Sequence, residues 1–408
     1  MNLEKIVKIL TMNTYSNLKK STNLIESELK NLGIPKKDYQ DWINKILKIA
    51  LISTNPKTRK SYLRSYFRIY QEGINKDGRD SSIIIEITKK CNKNCRHCYS
   101  KYSGTTIDMS DELLEKIIKF SRKYFKHIFF TGGEPTLDPR VLTIANNNPD
   151  VVFFIFTNGS TITDSYAKKL SDLGNLFPLI GIDGASESSH DSLRGCGSYR
   201  EVLHAIKLLN KYQVSWGCIT IVTELNAREV LSKNFAQDKI DNGAFLLRYL
   251  EYTPVGPNPL TDLILSGETY YLLEKRKKEI IQDKVIYMQE TSQKKCNGLL
   301  FFSVDGFIKN CFSFHYAKYN AASADLKTAI SKLRKEWVSY NWEGECPLYS
   351  DPQGFKNHLE KLGWKHQSTV PEPYLIDPTI AAQLSGNYKT FLNLVAEKGL
   401  WCRYSEKL

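Results

Sequence analysis

The sequence predicts an α/β protein built around a partial parallel (β/α)6 barrel of the TIM type, with a helical extension before it and a smaller extension after it. Strand-like apolar runs alternate with helical patterns between residues 81 and 255, which is typical of a parallel sheet covered by helices. Polar and glycine-rich motifs follow successive strands, as at the catalytic rim of a barrel. Only about six βα units are present, fewer than the eight of a closed barrel. We therefore expect a lateral opening.

The individual elements are predicted from β-branched and aromatic runs and from apolar residues at helical spacing. The predicted barrel strands are 82–88, 128–131, 151–157, 179–182, 214–222 and 245–252. The predicted helices are 111–124, 165–173 and 199–212, followed by 270–282 and 325–337. Residues 299–312 predict a β-hairpin that turns at Asp305-Gly306, because an Asp-Gly pair between apolar runs is a strong hairpin signal.

The chain is expected to have five parts: a helical N-terminal extension (1–80), the barrel core (81–255), a linking helix (256–290), a small extension (291–350) and a tail of short helical pieces (351–408). The first part carries 16 Lys and Arg and 8 Asp and Glu, an excess that can attract acidic partners. A solvated Lys-rich surface is the simpler interpretation, because no RNA-binding motif accompanies the charge. A nucleic-acid partner is therefore not expected.

The composition is that of a globular protein, with 41% hydrophobic and 25% charged residues. No apolar run is long enough to span a bilayer, and the N-terminus lacks the apolar stretch of a signal peptide. We expect a cytoplasmic location without a membrane partner. The nine cysteines would stay reduced there and could bind metal.

Three cysteines in one short loop are the most informative feature of the chain. Cys91, Cys95 and Cys98 follow the first predicted strand with the spacing C-x3-C-x2-C. They can bind three irons of a four-iron cluster and leave the fourth iron without a protein ligand, whereas electron-carrying clusters are closed by four cysteines. An open coordination position on a metal centre is where chemistry takes place.

The surroundings of this cysteine triplet leave two interpretations open. Basic residues in the loop are expected to lower the thiol pKa values and so to favour the thiolates that a metal requires; they are Lys89, Lys90, Lys93 and Arg96. A zinc site, with His97 or a distant cysteine as the fourth ligand, is the alternative to an iron–sulfur cluster.

The motifs taken together resemble the radical S-adenosylmethionine (SAM) superfamily across residues 82–255. The cysteine loop is similar to that family's cluster motif, with His97 before the last cysteine and Tyr99 after it. Gly132-Gly133-Glu134-Pro135, after the second strand, is similar to the segment that holds the amino group of SAM. Asn158-Gly159, after the third strand, is similar to the turn near the ribose of SAM.

This resemblance implies a [4Fe-4S] cluster whose open iron binds SAM and a flavodoxin- or ferredoxin-type electron donor. Reductive cleavage of SAM would yield methionine and a 5′-deoxyadenosyl radical that abstracts hydrogen from a substrate carbon. The cofactor supplies that chemistry, and the protein orients the substrate.

The fourth strand and the loop after it, through Asp183 and Arg194, resemble a peptide-modifying branch of the family. In that branch the position of Gly181 is commonly a serine that helps to bind the SAM carboxylate. Gly181 cannot make this bond, so Arg194 or water is expected to replace the serine. Arginine suits the role, because it can pair with a carboxylate through two parallel hydrogen bonds.

The C-terminal third contains a second cysteine pattern. Cys296 and Cys311 flank the predicted hairpin as C-x9-G-x4-C, which resembles the start of the SPASM and twitch extensions that carry auxiliary iron–sulfur clusters. The dense cysteine run of a full SPASM extension is absent, and only Cys346 and Cys402 remain. One auxiliary cluster on these four cysteines is expected, with an open iron if Cys402 does not bind. The alternative is that the cysteines are buried without a cluster.

Cys218 lies in the fifth predicted strand. If it faced the barrel interior, its thiol could donate a hydrogen atom to a substrate radical, as in peptide epimerases of the family. A small core residue is the simpler role for such a cysteine.

The expected function is radical modification of a ribosomally made peptide, although no peptide-recognition winged helix is evident in the N-terminal part. A dehydrogenase or tailoring enzyme for a small-molecule metabolite is the close alternative. An electron-transfer or metal-sensing protein, using the same cysteines without SAM, is the alternative from another class.

Overall fold

A computed structural model describes residues 22–72, 82–100, 107–254, 259–281, 286–287, 299–312, 314–340, 351–367 and 377–398, together with Ile6, Ile9 and Pro347. The helices in these ranges are α1 (Thr22–Asn31), α2 (Tyr39–Ile52), α3 (Pro56–Gln71), α4 (Asp111–Tyr124), α5 (Arg140–Asn147), α6 (Asp164–Leu173), α7 (Glu187–Arg194), α8 (Ser198–Lys211), α9 (Ala227–Val230), α10 (Lys233–Asp241), α11 (Gly267–Ile281), α12 (Leu326–Val338), α13 (Pro352–Lys361) and α14 (Pro378–Lys398). The strands are β1 (Ser82–Thr88), β2 (His127–Gly132), β3 (Val152–Thr157), β4 (Leu176–Gly181), β5 (Trp216–Val222), β6 (Ala244–Glu251), β7 (Ile286–Tyr287), β8 (Leu299–Phe302), β9 (Phe307–Lys309), β10 (Tyr316–Ala317), β11 (Tyr319–Asn320) and β12 (Lys365–His366).

The central sheet confirms the predicted partial parallel barrel. Its strand order is β11-β9-β8-β1-β2-β3-β4-β5-β6-β7, and β1 to β6 are the six predicted strands. Two further strands run parallel to their neighbours, β7 beside β6 and β8 beside β1. The predicted hairpin is formed by β8 and β9. The hairpin therefore extends the barrel sheet at β1, and β7 extends it at β6, so that eight rather than six adjacent strands are parallel.

Two elements differ from the sequence-based expectation. β4 begins at Leu176, three residues earlier than predicted, and includes Pro178. Proline cannot donate a hydrogen bond to a neighbouring strand, and β5 accordingly pairs with β4 only from Leu179 onward. The tail contains a 21-residue helix, α14, instead of short pieces, because its apolar face packs on α11 through Tyr388 against Tyr270. None of the described helices is both long and apolar enough to cross a lipid bilayer.

The strands bury both faces, as expected for a covered parallel sheet. Alternate side chains on one face pack beneath the surrounding helices; Ile83 and Ile85 of β1 are examples. The opposite face contributes Ile84, Phe154 and their neighbours to a second core shared with the N-terminal helices. The period of two along each strand therefore separates an outer face from an inner face that looks into the barrel.

The N-terminal helices close the barrel at the amino-terminal ends of its strands. Tyr62 of α3 contacts Phe177 at the start of β4, with ring centroids 5.1 Å apart. Ser215, just before β5, donates to the carbonyl of Ile52 at 3.0 Å. Arg68 donates to backbone carbonyls that precede β2 and β3. The opposite, carboxyl-terminal end of the barrel is left for the predicted motifs.

Candidate cluster and cofactor site

Most of the predicted site residues line one cavity of about 430 Å³. The carboxyl-terminal ends of parallel strands meet at one rim of a barrel, and the motifs after β1, β2, β3 and β4 meet there for that reason. The predicted residues that line the cavity are Cys91, Cys95, Cys98, His97, Tyr99, Gly132, Gly133, Glu134, Asn158 and Arg194. Pro135, Gly159 and Asp183 are outside the lining, although each is adjacent or hydrogen-bonded to a residue that belongs to it.

The three loop cysteines are free thiols on the wall of this cavity. In the described part of the chain, no three His, Cys, Asp or Glu side chains are grouped to hold a single metal ion. A cluster takes one thiolate on each of several irons, so its ligands stand further apart than those of one ion. The imidazole of His97, the nearby nitrogen ligand in the zinc alternative, directs Nε2 at Asp183 across 3.0 Å.

The prediction that loop cations lower the thiol pKa values is wrong for two of these cysteines. Burial raises the pKa of Cys91 and of Cys95. Lys93 is paired with Glu201, and the cation that acts to lower the pKa of Cys95 is Arg194. Thiolate formation would therefore depend on the iron, because a coordinating metal deprotonates its thiol ligand.

The glycine pair after β2 packs directly on the start of the cysteine loop. A Cβ at Gly132 would lie 2.0 Å from the carbonyl oxygen of Thr88, and one at Gly133 would lie 2.3 Å from that of Lys90. The amides of Gly133 and Glu134 donate to these two oxygens at 2.8 and 2.7 Å. The glycines therefore fix the cysteine loop against β2, because only a residue without a Cβ permits this approach.

Glu134 is buried at the cavity wall and is held by neutral donors. Its Oε1 accepts from the amide and hydroxyl of Thr136 and, at 2.8 Å, from the hydroxyl of Thr157. Among the described residues, its Oε2 accepts from the amide of Asn158 alone, at 2.7 Å. Burial raises the pKa of Glu134, although these donors oppose the shift. A carboxylate oxygen has two acceptor sites, so Oε2 retains the capacity to accept from a cation.

The turn after β3 also reaches the cysteine loop. Nδ2 of Asn158 donates to Oδ1 of Asn92 at 3.0 Å, and Nδ2 of Asn92 donates to Ser160 at 2.8 Å. Ser160 in turn donates to Oδ1 of Asn158 at 2.6 Å. Gly159 has φ +82°, the left-handed conformation that glycine adopts without strain. This closed set of three hydrogen bonds ties the turn to the loop between Cys91 and Cys95.

Tyr99 connects the cysteine loop with the C-terminal hairpin. Its hydroxyl lies 2.9 Å from that of Thr131 in β2, and its ring meets the edge of Phe312 with centroids 5.1 Å apart. Phe312 lines the cavity and directly follows the half-buried Cys311. The extension therefore supplies part of the cavity wall. The other cysteines predicted for the auxiliary cluster, at positions 296, 346 and 402, lie outside the described residues.

Arg194 occupies the space that the missing side chain at position 181 would fill. A Cβ on Gly181 would lie 2.3 to 2.6 Å from the guanidinium of Arg194. Nε of Arg194 donates to Oδ2 of Asp183, which is fully buried. Burial by itself would raise the pKa of Asp183, but Arg194 and His97 hold it well below its usual range. The cation thus stands at the cavity where the resemblance places the SAM carboxylate.

The apolar wall of the cavity was not predicted from the motifs. It consists of Ile84, Phe156, Leu179, Ile219, Ile221 and Leu250. These residues have inward-facing positions on β1 and on β3 to β6. Alternation along each strand was the available signal, but it shows which residues share a face and not which face looks inward.

Cys218 is not placed for the hydrogen-donor role. It lies on the outer face of β5, in the core beneath the helices, whereas its neighbour Ile219 lines the cavity. Its sulfur lies 3.7 Å from the hydroxyl of Thr220, and burial raises its pKa to about 12. The position is that of the simpler alternative, a small core residue, and it does not fit the barrel-facing hydrogen donor, because successive side chains point to opposite faces of a strand.

Residues 85–232 match the model of the radical SAM superfamily. The chain therefore contains a radical SAM domain. The match includes the cysteine loop and the motifs after β2, β3 and β4.

Two curated relatives and one solved structure are similar to this chain. The AdoMet-dependent heme synthase of Methanosarcina barkeri is 26% identical over 50% of this chain and 60% of its own length. The sporulation killing factor maturation protein SkfB of Bacillus subtilis is 29% identical over 43% of each chain. The structure of native anSMEcpe with bound AdoMet and the Cp18Cys peptide shares the fold, with a TM-score of 0.55, 19% identity and coverage of 78% of this chain and 97% of that one. The chain thus spans about half the length of these curated relatives.

Proposed function

We propose that the protein is a radical SAM enzyme that binds a [4Fe-4S] cluster on Cys91, Cys95 and Cys98 and cleaves SAM reductively. The observation that carries this proposal is the charge arrangement of a single cavity. Three free thiols share the cavity with a buried carboxylate, Glu134, and a largely buried guanidinium, Arg194. The amino-acid end of SAM is a zwitterion, and the cavity presents one group of opposite charge for each end of it.

The chain's own residues have distinct tasks in this proposal. Oε2 of Glu134 accepts a hydrogen bond from the ammonium group, and the terminal nitrogens of Arg194 donate to the carboxylate. The apolar wall opposite them excludes water, which strengthens both interactions. When bound, the cluster and SAM supply the reducing electron and the 5′-deoxyadenosyl radical. The protein positions the substrate carbon against that radical.

We propose a ribosomally made peptide as the substrate. The resemblance around Asp183 and Arg194 supports this choice, and so does the similarity to SkfB, a maturation protein. A small-molecule metabolite is the second candidate, favoured by the similarity to a heme synthase. A short precursor-peptide gene beside this one would separate the two, because its product can be assayed directly for a mass change after incubation with the reduced enzyme and SAM.

We further propose one auxiliary cluster in the C-terminal extension, with Cys311 as a ligand, and a flavodoxin- or ferredoxin-type electron donor. The position of Cys311 beside the cavity-lining Phe312 supports a cluster close to the substrate. Anaerobic reconstitution followed by iron and sulfide analysis tests the auxiliary cluster. About eight irons per chain are expected for two four-iron clusters, and about four would contradict the proposal.

Formation of 5′-deoxyadenosine tests the activity. Reconstituted protein, SAM and a strong reductant are incubated without oxygen, and the nucleoside is quantified by chromatography. The wild type should form it, and Cys95→Ala should not. Cys196→Ala removes an exposed cysteine outside the cavity and should behave as the wild type. Absence of product from wild-type protein that contains a reducible cluster would favour the electron-transfer alternative.

A further inference from the structure

Asp183 lies beside the cavity and is fixed by hydrogen bonds through both its side chain and its backbone. Its Oδ1 accepts from the amide of Ile221 in β5 at 2.8 Å. Its own amide donates to Nδ1 of His190 at 3.2 Å, and its carbonyl accepts from Nδ2 of Asn226 at 2.9 Å. Three of its polar atoms are thus bound to three different segments, and the side chain is fully buried. A carboxylate held in this way cannot move without breaking several buried hydrogen bonds.

The remaining oxygen of Asp183 joins two parts of the site that are separate in sequence. Oδ2 accepts from Nε2 of His97, in the cysteine loop, at 3.0 Å and from Nε of Arg194, at the end of α7, at 2.5 Å. His97 directly precedes Cys98. One carboxylate oxygen therefore sets the distance between the loop that would hold the cluster and the cation that would hold the SAM carboxylate.

The geometry of Arg194 depends on this contact. Only Nε is used in a hydrogen bond to the described residues, and the terminal nitrogens lie over Gly181 at the cavity. A side chain at position 181 would collide with them, as the 2.3 Å approach of a Cβ shows. Asp183 therefore orients the guanidinium from behind, and Gly181 leaves room for it in front.

We propose that Asp183 is a positioning residue that aims the terminal nitrogens of Arg194 at the carboxylate of SAM, and that Gly181 is required for this orientation. The inference rests on the proposed function. Asp183 does not line the cavity, so it acts through Arg194 and His97 rather than by touching SAM. Arg194 then takes over the contact that a serine at position 181 would make.

The first test replaces Asp183 by Asn in the full chain, reconstituted with its cluster. An amide of the same size cannot accept hydrogen bonds at both oxygen positions, so it releases either Ile221 or the Arg194–His97 pair. We expect the iron content to be retained, because the three cysteines are intact. The SAM dissociation constant, measured by equilibrium dialysis, should rise about 10- to 100-fold, as for other residues that orient a binding group. The change that SAM causes in the EPR spectrum of the reduced cluster should weaken in parallel.

Asp191→Asn is the matched control, on α7, the helix that ends at Arg194. Asp191 accepts from the amides of Gly197 and Tyr199 and from the hydroxyl of Ser198, so its loss weakens the same loop without touching Arg194. Its SAM dissociation constant should equal that of the wild type. A dissociation constant for Asp183→Asn that matches the control would overturn the inference.

Gly181→Ala tests the orientation of the Arg194 guanidinium from the cavity side. It also tests the inference if Asp183→Asn does not fold. Its methyl group should displace the guanidinium and raise the SAM dissociation constant to a similar extent, with Asp183 unchanged. Wild-type affinity in Gly181→Ala would contradict the inference. Failure of the wild type itself to bind SAM would instead contradict the proposed function, so the two failures are distinguishable.

Discussion

Glu134 and Asp183 are buried carboxylates that follow two parallel strands of the same sheet, β2 and β4, yet their surroundings make them opposites. Glu134 accepts from hydroxyl and amide donors of the described residues, and burial raises its pKa. Asp183 accepts from Arg194 and His97, which together lower its pKa against the effect of burial. The chemical group is the same. The charge of its hydrogen-bond donors decides whether it remains an anion available to a ligand or becomes part of the structure.

The contrast explains how one cavity can be complementary to a zwitterion. Neutral donors fix the direction of Glu134 without cancelling its charge, so the region after β2 is acidic. The negative charge of Asp183 is compensated by Arg194, and the terminal nitrogens of Arg194 still point into the cavity. The region after β4 is therefore basic at its surface, with the counter-ion buried behind it. A buried ion pair of this kind is often weak in net stabilisation, and its value here lies in orientation.

The largest effect is expected for Arg194→Ala, which removes the cation from the Asp183 side. The SAM dissociation constant should rise more than about 100-fold, because a charge-assisted pair of hydrogen bonds is lost. The free energy of unfolding should fall by about 3 kcal/mol, since a buried carboxylate loses its main partner. SAM binding and urea denaturation measure the two effects.

Arg200→Ala is the control for this variant. Arg200 is exposed on α8 and pairs with Glu187, outside the cavity. Equal losses of SAM affinity in the two variants would mean that Arg194 has no special role.

A smaller effect is expected for Glu134→Gln. The amide keeps one oxygen for the donors at Oε1 but places an NH2 group against the amide of Asn158 and against the incoming ammonium. The SAM dissociation constant should rise about 10-fold, the value of one hydrogen bond to a charged group. Glu224→Gln is a suitable control, because Glu224 accepts from Ser266 away from the cavity. Unchanged affinity in Glu134→Gln would place the ammonium elsewhere.

The opposite pKa shifts of Glu134 and Asp183 also predict which side of the cavity loses its charge first as the pH falls. The pKa of Glu134 is raised and that of Asp183 is lowered, so a falling pH protonates Glu134 while Asp183 and Arg194 stay charged. Neutral Glu134 attracts an ammonium group less strongly. SAM affinity of the wild type should therefore fall as the pH drops through the pKa of Glu134 in the free protein, which lies above that of an ordinary glutamate.

Equilibrium binding at a series of pH values, under conditions where the cluster is intact, measures this dependence. Glu134→Gln has no carboxyl group to protonate at this position. Its affinity should be weaker throughout and flat over the same interval. A parallel decline in both would assign the pH dependence to another group.

The sequence predicted the site better than it predicted the geometry within it. Motifs that follow successive strands must share one rim of a parallel barrel, and for that reason Cys91, Glu134 and Asn158 could be grouped before any coordinates existed. The sequence left either Arg194 or water to replace the side chain missing at position 181, and it did not show that Asp183 holds Arg194 against Gly181. These residues are up to 13 positions apart in the chain, and an orientation of this kind is a property of packing that leaves no pattern along the sequence.

Contacts between segments that are distant in sequence limited the prediction of the fold in the same way. The hairpin at residues 299–312 was predicted from its turn, but its pairing with β1 depends on an edge that local patterns do not reveal. Phe312 therefore appeared as a hairpin residue and not as part of the cavity wall. β4 likewise begins three residues earlier than predicted, where Leu176 and Phe177 are buried.

The smallest effect is expected for Cys218→Ala. This variant tests whether the site beside Asp183 is confined to residues on the inner face of the sheet. Cys218 precedes the cavity-lining Ile219 in β5, but its thiol is packed beneath the helices. Its loss should lower the free energy of unfolding by about 1 kcal/mol, the usual effect of a small core change, and should leave SAM binding and 5′-deoxyadenosine formation unchanged. Cys95→Ala, in the cysteine loop that lines the cavity, should abolish both. If Cys218→Ala formed 5′-deoxyadenosine normally but failed to complete product, the thiol would have to reach the substrate, and the separation of the two faces of β5 would be contradicted.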